Sequence, residues 1–136
     1  MRASPLLALT LLTLSALPAQ AASVEKAPPP APYQAVSKLV ALPDFLPGMG
    51  TLYVDPTTLP AGPFLAYDKA GKLVSTIYMV PLEDFDAHKK IDNLKTSGDK
   101  VDHVDMYFNP GHPGVEKPHY HIVLWHVPLS EAAAVK

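Results

Sequence analysis

The sequence predicts a small α+β domain, an antiparallel β-sheet of about five strands with one helix. Three observations predict it. Two runs near the C-terminus, 101–108 and 119–127, alternate with a period of two. Three earlier short runs are separated by Gly-, Pro- and Asp-bearing turns. After Pro81 the apolar spacing changes to one that suits a helix.

The N-terminal part lies outside that domain. Residues 1–21 carry Arg2, an apolar block from Leu6 to Leu17 and then Ala19-Gln20-Ala21, the layout of a secretory signal cleaved after Ala21. The block is too short to remain as a helix across a bilayer core of about 30 Å. Residues 22–43 are rich in Ala and Pro, including Ala27-Pro-Pro-Pro-Ala-Pro32, and are expected to form an extended tether. A single domain over 44–128 and a short tail over 129–136 complete the expected organisation.

Within the domain the first three strands are expected at Thr51 to Val54, Pro63 to Tyr67 and Lys72 to Val80. The firmest turn signal is Asp68-Lys-Ala-Gly71, because Gly71 supplies the positive φ that a short hairpin loop needs. From Pro81 to Leu94, Leu82, Phe85, Ile91 and Leu94 fit one face of a helix. Pro81 suits its first turn, and Glu83 and Asp84 favour its N-terminal end. His88 falls on the same face and reads as a partly buried structural residue.

The last two strands hold the chemistry. Five of the six histidines lie between Val101 and Val127. In the first run Val104, Met106 and Phe108 share a face expected to be core, with His103, Asp105 and Tyr107 opposite. In the second, Tyr120, Ile122 and Leu124 share the expected core side, leaving His119, His121, Val123 and Trp125 on the other. Opposed residues of an antiparallel pair share a face, so matched faces require their numbers to sum to an even value. A sum near 224 or 226 places Asp105 opposite His119 or His121 and gathers His103, Asp105, His119 and His121 on one surface. His112, in the middle of the Pro- and Gly-rich link 109–118, is placed to fold back over them.

Imidazoles with one carboxylate form a donor set that suits Zn²⁺ first, with Cu²⁺, Ni²⁺ or Fe²⁺ as alternatives. The candidate metal ligands are therefore His103, Asp105, His112, His119 and His121. The competing reading is a solvated sheet face that happens to be polar. His126, on the other phase at a strand end, is expected to bind a carbonyl or to fray into water.

Composition excludes some partners. A net charge of -2, from 11 basic and 13 acidic residues without a basic cluster, gives no electrostatic footprint for nucleic acid. No cysteine is present, so neither a disulfide nor a lipid-bearing cysteine is available, and no membrane attachment is expected once the signal is removed.

Several segments together, Gly48 to Asp55, Leu59 to Pro63, Tyr78 to Pro81, Val101 to Asp105 with Asn109 to His112, and Pro118 to His121, resemble a small family of secreted bacterial domains of unknown function. That family is typified by a sigma-E-controlled protein of a thermophilic bacterium. The resemblance covers about Gly48 to Trp125 in the same motif order. Leu52 and Val123 stand where the family often carries His; His103, His112 and His119 match family positions, and His121 is a local variation. The resemblance implies a soluble envelope protein that self-associates and carries a His-rich site of unestablished role, and it transfers no catalytic residue.

The resulting expectation is a secreted or periplasmic, stress-related protein, non-enzymatic, that binds a divalent metal or a small apolar ligand and forms a homo-oligomer. One alternative is a cupin-like metalloenzyme using a metal-bound water with Glu116 or Asp105 as general base. Another is a proton-responsive patch of imidazoles at an interface.

Overall fold

The structure, a computed structural model, describes residues 23–136; the expected signal segment 1–21 lies outside the described residues. Its centre is a six-stranded sheet in the order β1-β2-β3-β4-β6-β5, with every neighbouring pair antiparallel. The strands are β1 (Gln34–Ala35), β2 (Thr51–Val54), β3 (Phe64–Tyr67), β4 (Leu73–Pro81), β5 (His103–Asn109) and β6 (His119–Trp125). Two short α-helices, α1 (Leu82–Asp86) and α2 (Leu129–Ala132), and two 3-10 turns, Val36–Lys38 and Pro56–Thr58, complete the regular structure of the described residues. The expectation of an α+β domain with about five strands and one helix is thereby corrected. The protein is mostly β, because the helical spacing after Pro81 sustains only five residues. His88 and Asn93 then take positive φ, and 87–102 continues as an irregular segment. His88 is exposed there rather than packed on a helix face.

The β3–β4 hairpin forms around the anticipated turn. Asp68 Oδ1 accepts from the backbone N–H groups of Ala70 and Lys72, and Gly71 has φ of 78°. Both strands are buried along nearly their whole length, which their almost unbroken apolar runs make favourable. One face of β4, through Ile77 and Met79, joins Leu52, Val54, Phe64, Val123 and Trp125 in the main core. The opposite face is covered by the segment after α1, where Tyr78 donates to the Lys95 carbonyl at 2.7 Å and Ser97 N–H donates to Thr76 Oγ1 at 3.0 Å.

The Ala/Pro-rich stretch packs on the sheet instead of standing away from it. Val24, Ala27 and Tyr33 lie against a second cluster of Leu65, Tyr67 and Leu73. Tyr67 donates to the Val24 carbonyl at 2.6 Å, and β1 extends the sheet beyond β2. Val36 enters the main core, with Val40, Leu42, Phe45, Leu46 and Met49 beside it. Polyproline-like composition lowers the entropy lost on ordering, so such a strap docks wherever its few apolar residues find a face. The C-terminal tail behaves similarly: Val135 is buried, and its carbonyl accepts from Gly48 N–H at 2.6 Å.

The largest departure concerns which face of β5 and β6 points inward. His119, His121, Val123 and Trp125 are the buried side of β6, whereas Val104, Met106 and Phe108 of β5 are 54%, 60% and 50% exposed. Both faces of β6 carry large apolar residues, so the pattern alone does not choose between them. The choice is made by pairing with β4: Ile77 lies opposite Val123 and Met79 opposite His121, so the histidine side is continuous with the main core. Among the described residues no helix is long and apolar enough to cross a membrane.

Candidate metal centre

Strand β6 places His119 and His121 two residues apart on its inward face, where they are 0% and 2% exposed. Their Nε2 atoms approach to 2.9 Å. The link between β5 and β6 brings the third ring. Gly111, at φ of 132°, packs so closely that a Cβ would collide with the Glu116 carbonyl, which makes glycine necessary at that bend. Asn109 Oδ1 accepts from Gly111 N–H at 2.8 Å, and His112 and Val115 exchange two backbone hydrogen bonds of 3.0 Å. His112 thus folds back over the pair, with ring centroids 4.9 Å from His119 and 5.6 Å from His121. The ligating atoms of His112, His119 and His121 all lie within 4.8 Å of one another, so the three can hold a metal ion.

The outer nitrogens fix which atoms face the centre. His119 Nδ1 lies 2.6 Å from the Lys117 carbonyl, and His112 Nδ1 lies 3.0 Å from that of Pro113. A carbonyl only accepts, so both Nδ1 atoms carry the proton and both Nε2 atoms carry a lone pair. His121 Nδ1 lies 3.1 Å from the Tyr107 hydroxyl, which can donate or accept. With Nε2–H of His121 donating to His119, Tyr107 donates to His121; with a metal on both Nε2 atoms, His121 Nδ1–H donates to Tyr107 instead. A change of His121 tautomer, from Nε2–H to Nδ1–H, together with rotation of the Tyr107 hydroxyl connects the two states. Backbone carbonyls and hydroxyls holding the far nitrogen are the usual support of metal-ligating histidine.

The electrostatics favour a neutral His121 ring. Burial, then His119 and His112, lower the pKa of His121 to about 4. Burial, reinforced by Asp105, raises that of the Tyr107 hydroxyl. Neutral imidazole is the form a metal requires, so at His121 binding calls for a tautomer change and no net loss of a proton near pH 7.

Two of the five expected ligands stand elsewhere. The register pairs His103 with Trp125, Asp105 with Val123, Tyr107 with His121 and Asn109 with His119, a sum two above the larger of the two expected values. Such a shift preserves the face and changes the neighbour, so Tyr107 occupies the place expected for Asp105. Asp105 Oδ2 accepts from Trp125 Nε1 at 2.8 Å. His103 stacks on the Trp125 ring at 5.9 Å and 16°, and its Nδ1 meets Asp102 Oδ1 at 2.9 Å. His103 pairs six residues along β6 from His119, or about 20 Å at the rise of a strand. The link over 110–118 that permits this register gives no sequence signal for one sum over another. Tyr107 was legible as a member of the polar face, but only the register gives it a role beside His121. His126 is structural, its Nδ1 facing the Lys100 carbonyl at 2.7 Å and its Nε2 facing Thr76 Oγ1 at 2.8 Å.

An apolar cavity of about 300 Å³ adjoins the triad. It lies between the main sheet face and the strap, with Val54, Phe64, Ile77, Leu42 and Met49 among its walls and Asn109, His112 and His121 at its polar side.

No family model matches the chain, and no curated protein matches it either. Among solved structures, the crystal structure of a hypothetical protein from Thermus thermophilus, TTHB210, is 48% identical, with a TM-score of 0.61, over 69% of this chain and 92% of that one. The chain belongs to the family of this thermophile protein. That family is uncharacterised, and its member's description as hypothetical carries no activity to this chain.

Proposed function

We propose that this protein is a non-enzymatic binder of a divalent metal, Zn²⁺ first, held by Nε2 of His112, His119 and His121. The observation that carries the reading is the convergence of three imidazoles whose Nδ1 atoms are already engaged by two carbonyls and a hydroxyl. A tetrahedral ion with Zn–N bonds of about 2.05 Å needs nitrogen separations of roughly 3.3 Å, so His119 and His121 must part by a few tenths of an ångström from 2.9 Å, and His112 must close in where separations reach toward 4.8 Å. Three nitrogen donors leave one position open.

Elemental analysis of untagged protein tests the site, with about one Zn²⁺ per chain expected in the parent. His112→Ala, His119→Ala and His121→Ala should each lower it; equal zinc in the parent and all three variants defeats the proposal.

The signal-like N-terminus supports a place in the bacterial envelope or outside it, and the resemblance to a sigma-E-controlled protein supports a stress-related role. Self-association completes the reading. Strand β5 is a sheet edge, and its exposed Val104, Met106 and Phe108 support pairing with a second copy of the same strand. Light scattering of parent and Met106→Lys protein tests this, and identical masses at the size of one chain exclude it.

A further inference from the structure

The triad and the cavity meet, and their chemistry is complementary. A divalent ion on three neutral imidazoles retains its full charge in a place where His119 and His121 are almost wholly buried. Among the described residues no carboxylate joins that cluster, and Asp105, on the same face of β5 as Tyr107, is held by Trp125. Coordination is one donor short and charge is uncompensated. The cavity beyond is lined mainly by aliphatic and aromatic side chains, and its polar wall is made by Asn109, His112 and His121. Asn109 Oδ1 accepts from Gly111 N–H, which orients the side chain and leaves its amide NH2 to donate.

Resting on the metal reading above, we infer that the cavity takes an aliphatic monocarboxylate whose head group completes the coordination of the triad's metal and whose chain lies along the sheet. A carboxylate supplies the missing oxygen ligand and a negative charge, and its second oxygen is suited to the Asn109 amide. A volume of about 300 Å³ holds roughly ten non-hydrogen atoms at a liquid-like share of about 30 Å³ each, the size of octanoate. Acetate reaches the metal but leaves the apolar walls uncovered.

The test uses untagged protein loaded with Co²⁺, whose visible spectrum reports its ligands, titrated with octanoate and with acetate and followed in parallel by calorimetry. Octanoate is expected to change the cobalt band and to bind at least about tenfold more tightly than acetate, because each buried methylene adds to affinity. Leu42→Trp and Met49→Trp, which fill the cavity from the strap, should take up Co²⁺ as the parent does and lose that chain-length advantage. Thermal melting selects whichever variant is folded. Octanoate no better than acetate on the cobalt-loaded protein, or octanoate binding equally well without cobalt, overturns this inference while leaving the metal site standing. Protein that takes up no Co²⁺ defeats the metal reading and this inference together.

Discussion

Replacing Tyr107 with Phe tests the link between the sheet register and the metal centre. The hydroxyl lies 3.1 Å from His121 Nδ1, and His121 has no other partner for that atom among the hydrogen bonds of the described residues. Without metal, the change leaves a buried ring nitrogen unsatisfied, at a cost of about 1–3 kcal/mol. With metal bound, the same hydroxyl accepts from Nδ1–H and orients the ring, and loss of such a support lowers metal affinity by about 10- to 100-fold. The two effects are separable. Urea denaturation in the presence of a chelator reads the first, and competition against a chromophoric chelator reads the second. The ring remains, so its contact with His121, centroids 5.0 Å apart, is retained. A variant that loses stability yet keeps the parent's metal affinity refutes the supporting role, and a variant unchanged in both refutes the observed register.

Three further outcomes are expected. His121 titrates near 4 in the folded chain and near 6.5 when unfolded, so the unfolded state takes up the proton first as pH falls. Metal-free protein should therefore lose up to about 3 kcal/mol between roughly pH 6.5 and pH 4, with no further loss from this group below that; urea midpoints independent of pH over this window would contradict it. Tyr67, whose pKa burial raises, keeps its proton in the folded state after it ionises in the unfolded one. Stability should thus decline above about pH 10, and Tyr67→Phe should decline less steeply; equal slopes in alkaline unfolding curves would exclude the effect. Finally, deleting residues 23–35 removes the hydrogen bonds Tyr67 to Val24, Ala27 to Gly71 and Leu73 to Glu25. With about 1 kcal/mol for each, the loss should be at least about 3 kcal/mol. A truncated chain that melts with the parent would restore the tether.

What was legible in the sequence is local. Thr51 to Val54 forms a strand as its pattern indicates, the Asp68 to Gly71 turn follows from one carboxylate and one glycine, and His112 folds back because Pro and Gly bend its link. His119 and His121 share a face because a strand repeats every two residues, whatever lies around it. These features depend on neighbours along the chain, where the physics of backbone and side chain acts without reference to the rest of the molecule.

What only tertiary structure decided is which surfaces meet. The inward turn of the histidine face comes from pairing β6 with β4, a strand far earlier in the chain, and not from the hydrophobicity of β6, which is comparable on both sides. The two-residue difference in register exchanged Asp105 for Tyr107 beside His121 and sent His103 to Trp125. The strap from Val36 to Met49, part of it within the segment expected as a tether, roofs the cavity because an apolar sheet face was left for it to cover. Burial is a property of the assembled layers, so the sequence named the imidazoles and the fold chose which three converge.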